Sequence, residues 1–387
     1  MLQARIYRMI ERLIAFDTVS RHSNRALIDY VRDYLDEHGI NSTLVPSDDG
    51  RKANLYASIG PAVAGGVVLS GHTDVVPVDG QPWSSDPFQM TERDGRLYGR
   101  GSCDMKGFLG VVLALVPEMT TLRKPIHLAL SYDEEVGCQG APRLIEAMVE
   151  NIPQPAAVIV GEPTLMQPIT AHKGITCLRT TVTGHEAHSS QTHRGASAVM
   201  HAARLITWLD DLARQRAAQG PFVAGLEPAY TTVHVGVVNG GTAVNIMARH
   251  CVFDWDIRHV PGDEPEAIIE NFHAYSREHI EPSLQAIAPN AGVSTEVVVQ
   301  APALAETADN SASELVRSLT GSNTTYKVAF AAEGGLFQHV GWPTVLCGPG
   351  SVDQAHQADE FVSLEQIEQC RQFIQRLIQR LSYDLTP

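Results

Sequence analysis

Positive charge is scarce in this sequence. Its 29 Lys and Arg stand against 44 Asp and Glu, a formal net charge of -15. Such a chain repels nucleic-acid phosphates and anionic lipid headgroups, so neither is an expected partner. A CxxC pair is also missing. The six cysteines (Cys103, Cys138, Cys177, Cys251, Cys347, Cys370) are scattered, which argues against a zinc finger or thioredoxin-like site and fits reduced thiols. No apolar run reaches the roughly 18 residues of a membrane span. The N-terminal "MLQARIYRMIERLIAFDTVS" mixes apolar and charged residues at helical spacing and lacks a signal peptide's apolar block. The expected location is the cytoplasm. Two nucleotide signatures are absent as well. No GxGxxG follows an early strand, and "GRGSCDMKG" has neither the Walker spacing nor the following Ser or Thr.

What is present is a globular chain of 387 residues, 44% hydrophobic, long enough that two domains are expected. Amphipathic helices are expected over 3–15 and 24–38. Strand-like "NLYASIG", "GGVVLSG", "PIHLALSY" and "AAVIVGE" follow, with "MKGFLGVVLALVPEM" between two of them as a buried helix. From about Gly174 the pattern becomes strand-rich: "ITCLRTTVTG", "AYTTVHVGVVNGG" and "HCVFDWDIRHV", with helices at 195–218 and 263–280. After residue 300 the first pattern returns, with a helix near 310–319, a strand "PTVLCG" and a last helix from Leu364. The expected fold is α/β: a catalytic domain with a mixed, largely parallel sheet flanked by helices (1–174 and 302–387), and an inserted smaller α+β lid or dimerisation domain (175–301).

Open α/β sheets bind ligands at the carboxyl ends of their strands. Here the apolar strands run out into His72 and Asp74, into Asp133, Glu134 and Glu135, and into Glu162. A glycine-rich turn leads to Asp353, His356 and Asp359, and Asp104 stands just before the "MKGFLGVV" helix. No serine or thiol nucleophile dominates. Histidines with carboxylates are the donors a divalent metal needs, and a carboxylate can bridge two ions. One ion could use His72 and Glu162, the second Glu135 and His356, with Asp104 spanning both. Asp74, two residues beyond His72, is placed to receive the other ring N–H and fix its tautomer.

The blocks "SGHTDVVPVDG", "LYGRGSCDMKG", "SYDEEVGCQG", "GEPT" and "AHQADEFV", with "TGHEAHSS" in the insert, resemble the two-zinc aminoacylase and carboxypeptidase family of metallohydrolases. The resemblance runs from about residue 70 to the end of the sequence. It implies two zinc ions per subunit, replaceable by cobalt, with His72 and Glu162 on one, Glu135 and His356 on the other, and Asp104 bridging. It also implies Glu134 as general base, Asp74 orienting His72, and a homodimer in which His188 reaches the partner's site to stabilise the oxyanion. Asn245 and Arg258, in "VNIMARHCVFDWDIR", match the insert's contacts to the substrate carboxylate and oxyanion. Glu333 is the acid expected to meet a distal ammonium. The stretches "SYDEEVGCQG", "EPTLMQPITAHKG" and "AAEGGLFQHVGWPTVLCGPGSVDQAHQADEF" are most similar to members that hydrolyse N2-acetyl-L-ornithine, a small N-acyl amino acid. No role is assigned to Asp133 or His185.

Overall fold

The computed structural model describes residues 2–383. The chain divides into two compact units. The first comprises residues up to Ala171, Leu304–Lys327 and the segment from Ala332 onward; the second comprises His172–Ala303 and Val328–Ala331.

In chain order the strands begin with β1 (Ser42–Pro46), β2 (Ala53–Ile59), β3 (Val67–His72), β4 (Thr91–Arg93) and β5 (Arg96–Tyr98). β6 (Ile126–Ser131), β7 (Ala157–Pro163) and β8 (Ile169–His172) follow. The second unit holds β9 (Ile175–Thr183), β10 (Thr232–Gly240), β11 (His250–Arg258) and β12 (Gly292–Ala301). β13 (Tyr326–Val328), β14 (Thr344–Gly348) and β15 (Phe361–Ser363) complete the set.

The large sheet has the order β1-β2-β6-β3-β7-β14-β8-β13. Its centre, β6-β3-β7-β14, is parallel, while the flanking pairs β1/β2, β2/β6 and β14/β8 are antiparallel. Every residue of β3, β6, β7 and β14 is buried. Strands covered on both faces by helices read as continuous apolar runs, and that is how "VVLSGH", "IHLALS" and "AVIVGEP" read. The expected mixed, largely parallel α/β sheet is present.

The helix Lys106–Leu115 is buried along its whole length, against the helices Leu2–Ile14 and Leu364–Ser382. Even Lys106 is enclosed, its ammonium donating to the Phe16 carbonyl at 2.8 Å. Phe108 of this helix packs against Gly161 of β7, where an added Cβ would come within 2.1 Å of the ring. A glycine there lets strand and helix approach closely, immediately before Glu162. Local caps start the helices where the sequence says they should. Ser197 and Ser363 accept the N–H groups of Met200 and Gln366, three residues on, and so satisfy helix-start donors.

In the second unit the sheet order is β10-β11-β9-β12, antiparallel throughout. The helices Ala198–Gln219 and Pro265–Tyr275 bury Leu205, Leu209, Ile268 and Phe272 with Phe253, Trp255 and Ile257 of β11. β12 went unread in the sequence because only one of its residues is fully buried and its "VVV" run breaks the alternation. No two of the six cysteines are joined. Among the described residues, no helix is long and apolar enough to cross a membrane.

Candidate metal centre

The parallel strands β6, β3 and β7 are neighbours, so their carboxyl ends lie side by side. β3 ends on His72, β6 leads to Glu134 and Glu135, and β7 carries Glu162. The loop after β14 brings His356, at φ +64, over the same place, and its carbonyl is held by the Gln81 side-chain amide at 2.8 Å.

Two groups of potential ligand atoms result, each within 4.8 Å: His72, Asp104 and Glu162, and Asp104, Glu135 and His356. Asp104 belongs to both. Its Oδ1 lies 2.9 Å from His72 Nε2 and its Oδ2 3.4 Å from His356 Nε2. His356 Nε2 also lies 3.0 Å from Glu135 Oε2.

The residues fit divalent metal ions. Oε1 of both Glu135 and Glu162 is buried without a hydrogen-bond partner, a costly condition that a cation relieves. The donor set, imidazole nitrogens and carboxylate oxygens on an Asp104 shared between the groups, suits zinc. Charge crowding points the same way. Burial and then the Glu162 charge push the Glu134 carboxyl well above its usual range, and burial and then Asp104 push Glu135 up to about 7. His356, beside Asp104 and Glu135, is pushed up to about 10. Glu134 is in neither ligand group. Its Oε1 accepts the Cys138 thiol at 3.5 Å, and its carbonyl accepts the N–H of Gly137 and of Cys138 at 2.9 Å.

Two sequence expectations meet a different arrangement. The first concerns Asp74. The group nearest His72 Nδ1 is the main-chain carbonyl of Asp74, at 2.9 Å, while the Asp74 carboxylate stands 3.7 Å away. β3 ends at His72, so the chain no longer continues the extended geometry that would carry side chain 74 back to the ring. The Asp74 carboxylate instead accepts the main-chain N–H groups of Glu134 at 3.0 Å and Glu135 at 3.2 Å.

The second concerns Glu333. Its carboxyl is 1% exposed and accepts Ser70 Oγ at 3.2 Å, with Oε1 unpartnered. It immediately precedes the helix Gly334–His339 and is enclosed rather than at the surface.

The other expected residues are in the second unit. His188 and Asn245 come together, with an isolated bridge from His188 to Ile246 and the Ser189 N–H donating to the Asn245 carbonyl at 3.0 Å. Arg258 does not join them. It ends β11, whose first residue, His250, is on the Asn245 side, and eight strand steps separate the two ends by roughly 26 Å. There Arg258 Nε donates to Asp256 at 2.9 Å. His185 is exposed beside them.

Residues the sequence reading missed support the same site. Glu360 is 1% exposed and pairs with the equally buried Arg100 at 2.7 Å. It accepts the main-chain N–H groups of Gly101, Cys103 and Asp104 at 3.0, 2.8 and 3.0 Å, and so fixes the loop that presents Asp104. Its trace in the sequence was faint: an acid beside Asp359 in "ADEF".

Residues 68–380 match the family model described as Peptidase family M20/M25/M40. A curated relative, "Acetylornithine deacetylase" of Myxococcus xanthus, is 34% identical over 95% of this chain and 94% of its own length. Another of the same name, from Pasteurella multocida (strain Pm70), is 35% identical over 96% of each chain. Among solved structures, the M20 family metallo-carboxypeptidase Sso-CP2 from Sulfolobus solfataricus has a TM-score of 0.72 at 18% identity, over 98% of this chain and 99% of that one. With the family model matched over most of its length and relatives of this identity along nearly all of it, the chain belongs to Peptidase family M20/M25/M40.

Proposed function

We propose that the protein hydrolyses the amide bond of N2-acetyl-L-ornithine, releasing L-ornithine and acetate, a step of arginine biosynthesis, with two zinc ions per subunit. The observation that carries this reading is the pair of ligand groups sharing Asp104 with Glu134 beside them outside both. The printed names of the relatives support the choice of substrate.

In this reading His72 and Glu162 hold one ion, Glu135 and His356 the other, and Asp104 both. Two zinc ions bound there would polarise the substrate carbonyl and lower the pKa of a water to about 7. Glu134 takes the proton of the attacking water and returns it to the leaving nitrogen, the general acid–base task open to a carboxylate that belongs to neither ligand group. Arg258 offers a planar two-point contact to the α-carboxylate, and His188 a donor for the developing oxyanion.

A panel of acylated amino acids with amine detection tests the substrate. Acetylornithine is expected to be the best, with activity lost to a chelator and restored by zinc or cobalt. A preference for succinyl-diaminopimelate, acetylcitrulline or another acyl amino acid would replace it.

We further propose a homodimer. The distance between Arg258 and the His188–Asn245 pair is too great for one small substrate to touch all three in one protomer, and a second copy resolves this. β10 is an edge strand exposing Val237 and Val238, and Val199 and Met200 on the adjoining helix are also exposed. Such an apolar, unpaired edge suits a second copy of itself. Co-expressing Glu134→Gln with His188→Ala gives mixed dimers in which one site keeps Glu134 and receives an intact His188 from its partner. Activity should reappear in the mixture, and two inactive partners giving an inactive mixture would refute action across the dimer.

A further inference from the structure

Asp133 is the member of the 133–135 acid run left without a task by the mechanism above. It is 8% exposed, and its backbone sits at φ +57, where residues other than glycine are uncommon. Both of its carboxylate oxygens accept Lys52 Nζ, at 2.5 and 2.7 Å. The same ammonium donates to the main-chain carbonyl of Ser20 at 2.5 Å. Ser20 Oγ in turn donates to Asp74 Oδ2 at 2.7 Å, and the Asp74 carboxylate receives the N–H groups of Glu134 and Glu135. Three consecutive residues of the turn are thereby held from one direction, by the side chain of Asp133 and by the main chains of the two glutamates. Lys52, the residue immediately before β2, touches both ends of this chain of contacts, at the Asp133 carboxylate and at the Ser20 carbonyl.

A purely structural ion pair would be the simpler explanation. It accounts for part of the arrangement, since Asp133 is largely buried and Lys52 offsets the cost of burying its carboxylate, but an ion pair alone does not require the same ammonium to hold the Ser20 carbonyl as well. What Lys52 adds is direction, since it joins the turn to the segment carrying Ser20 and, through it, Asp74.

We propose that Lys52 is a positioning residue that, through Asp133 on one side and Ser20–Asp74 on the other, sets where Glu134 and Glu135 stand relative to the other ligands. The inference rests on the reading of Glu134 as base and Glu135 as metal ligand. Displacing a catalytic group by about 1 Å can cost on the order of 10²-fold in rate, so loosening this clamp should be visible in kcat.

The test uses Lys52→Met, Asp133→Asn, the double variant and Lys52→Arg, all in the full chain and well below each variant's thermal midpoint. Asparagine tolerates φ above zero, so Asp133→Asn removes the charge without straining the turn. Each single variant is expected to lower kcat about tenfold or more on acetylornithine while KM stays within about threefold. The double variant should be no worse than the poorer single, because both break one unit. Lys52→Arg, able to grip a carboxylate at two points, should recover most of kcat. A titration with Co2+ alone, followed by visible absorption, should show one of two binding equivalents weakened about tenfold, the one that uses Glu135.

Singles with kcat within about twofold of wild type and an unchanged Co2+ titration would overturn the proposal, as would losses that multiply in the double variant. If wild type ignores acetylornithine, the substrate reading fails and the Co2+ titration still decides the positioning. If Glu134→Gln is inactive while the Lys52 and Asp133 variants match wild type, the positioning alone fails.

Discussion

Glu134→Gln is expected to lower kcat at least 10²–10⁴-fold, the range general acid–base catalysis contributes, while leaving KM within a few-fold. The substitution is nearly isosteric. The carbonyl of residue 134 would still accept the Gly137 and Cys138 N–H groups, its own N–H would still reach Asp74, and a glutamine oxygen can still accept the Cys138 thiol. What is removed is the ability to take a proton. Because Glu134 is in neither ligand group, metal uptake should be preserved, and Co2+ titration of the variant should resemble wild type. Steady-state kinetics on acetylornithine beside that titration separate a lost base from a lost ion. An intact rate would show that another group takes the proton.

The second large effect is on stability. In Glu360→Ala the Arg100 guanidinium loses its carboxylate while staying buried, and Gly101, Cys103 and Asp104 lose the acceptor of their main-chain N–H groups. Breaking a buried ion pair from one side costs about 3–5 kcal/mol, mostly from the charge left behind. Arg100 keeps contacts to Gln81 Oε1 at 2.6 Å and to the Trp83 ring at 5.0 Å, which favours the lower part of that range. Urea unfolding should therefore show a marked fall in midpoint at unchanged slope, and Arg100→Met combined with Glu360→Met should recover part of it. An unchanged midpoint for Glu360→Ala would mean that the loop finds other acceptors.

The strands that the sequence announced most clearly are those buried on both faces, β3, β6 and β7, and they carry or lead into His72, the Glu134–Glu135 pair and Glu162. Fold and site were legible together because a parallel strand writes its burial as an apolar run and its chemistry at the end of that run. Asp104 and His356 are on loops, and the expectation that they join the others rested on their residue types and on the resemblance. Contacts between segments distant in sequence were not legible. Arg100 meets Glu360 across most of the chain, and Lys52, just before β2, meets Asp133 some way further along, so no local period records either pair. Asp74 shows a different limit. Spacing placed it correctly beside His72, yet the end of the strand turned its carboxylate toward the glutamate turn. For Glu333, sequence neighbourhood could not reveal that Ser70 of β3 closes over it.

The order in which the ligands occur along the chain has a consequence for biosynthesis. His72, Asp104 and Glu162 all precede the second unit, so a growing chain carries every donor of that group early. The other group waits for His356, which is synthesised only after the whole insert, together with β14, the strand that flanks β7. Until then β7 is an open edge and Asp104 has histidine and glutamate partners on one side only. A nascent chain thus carries every residue of the first ligand group well before the second group is complete.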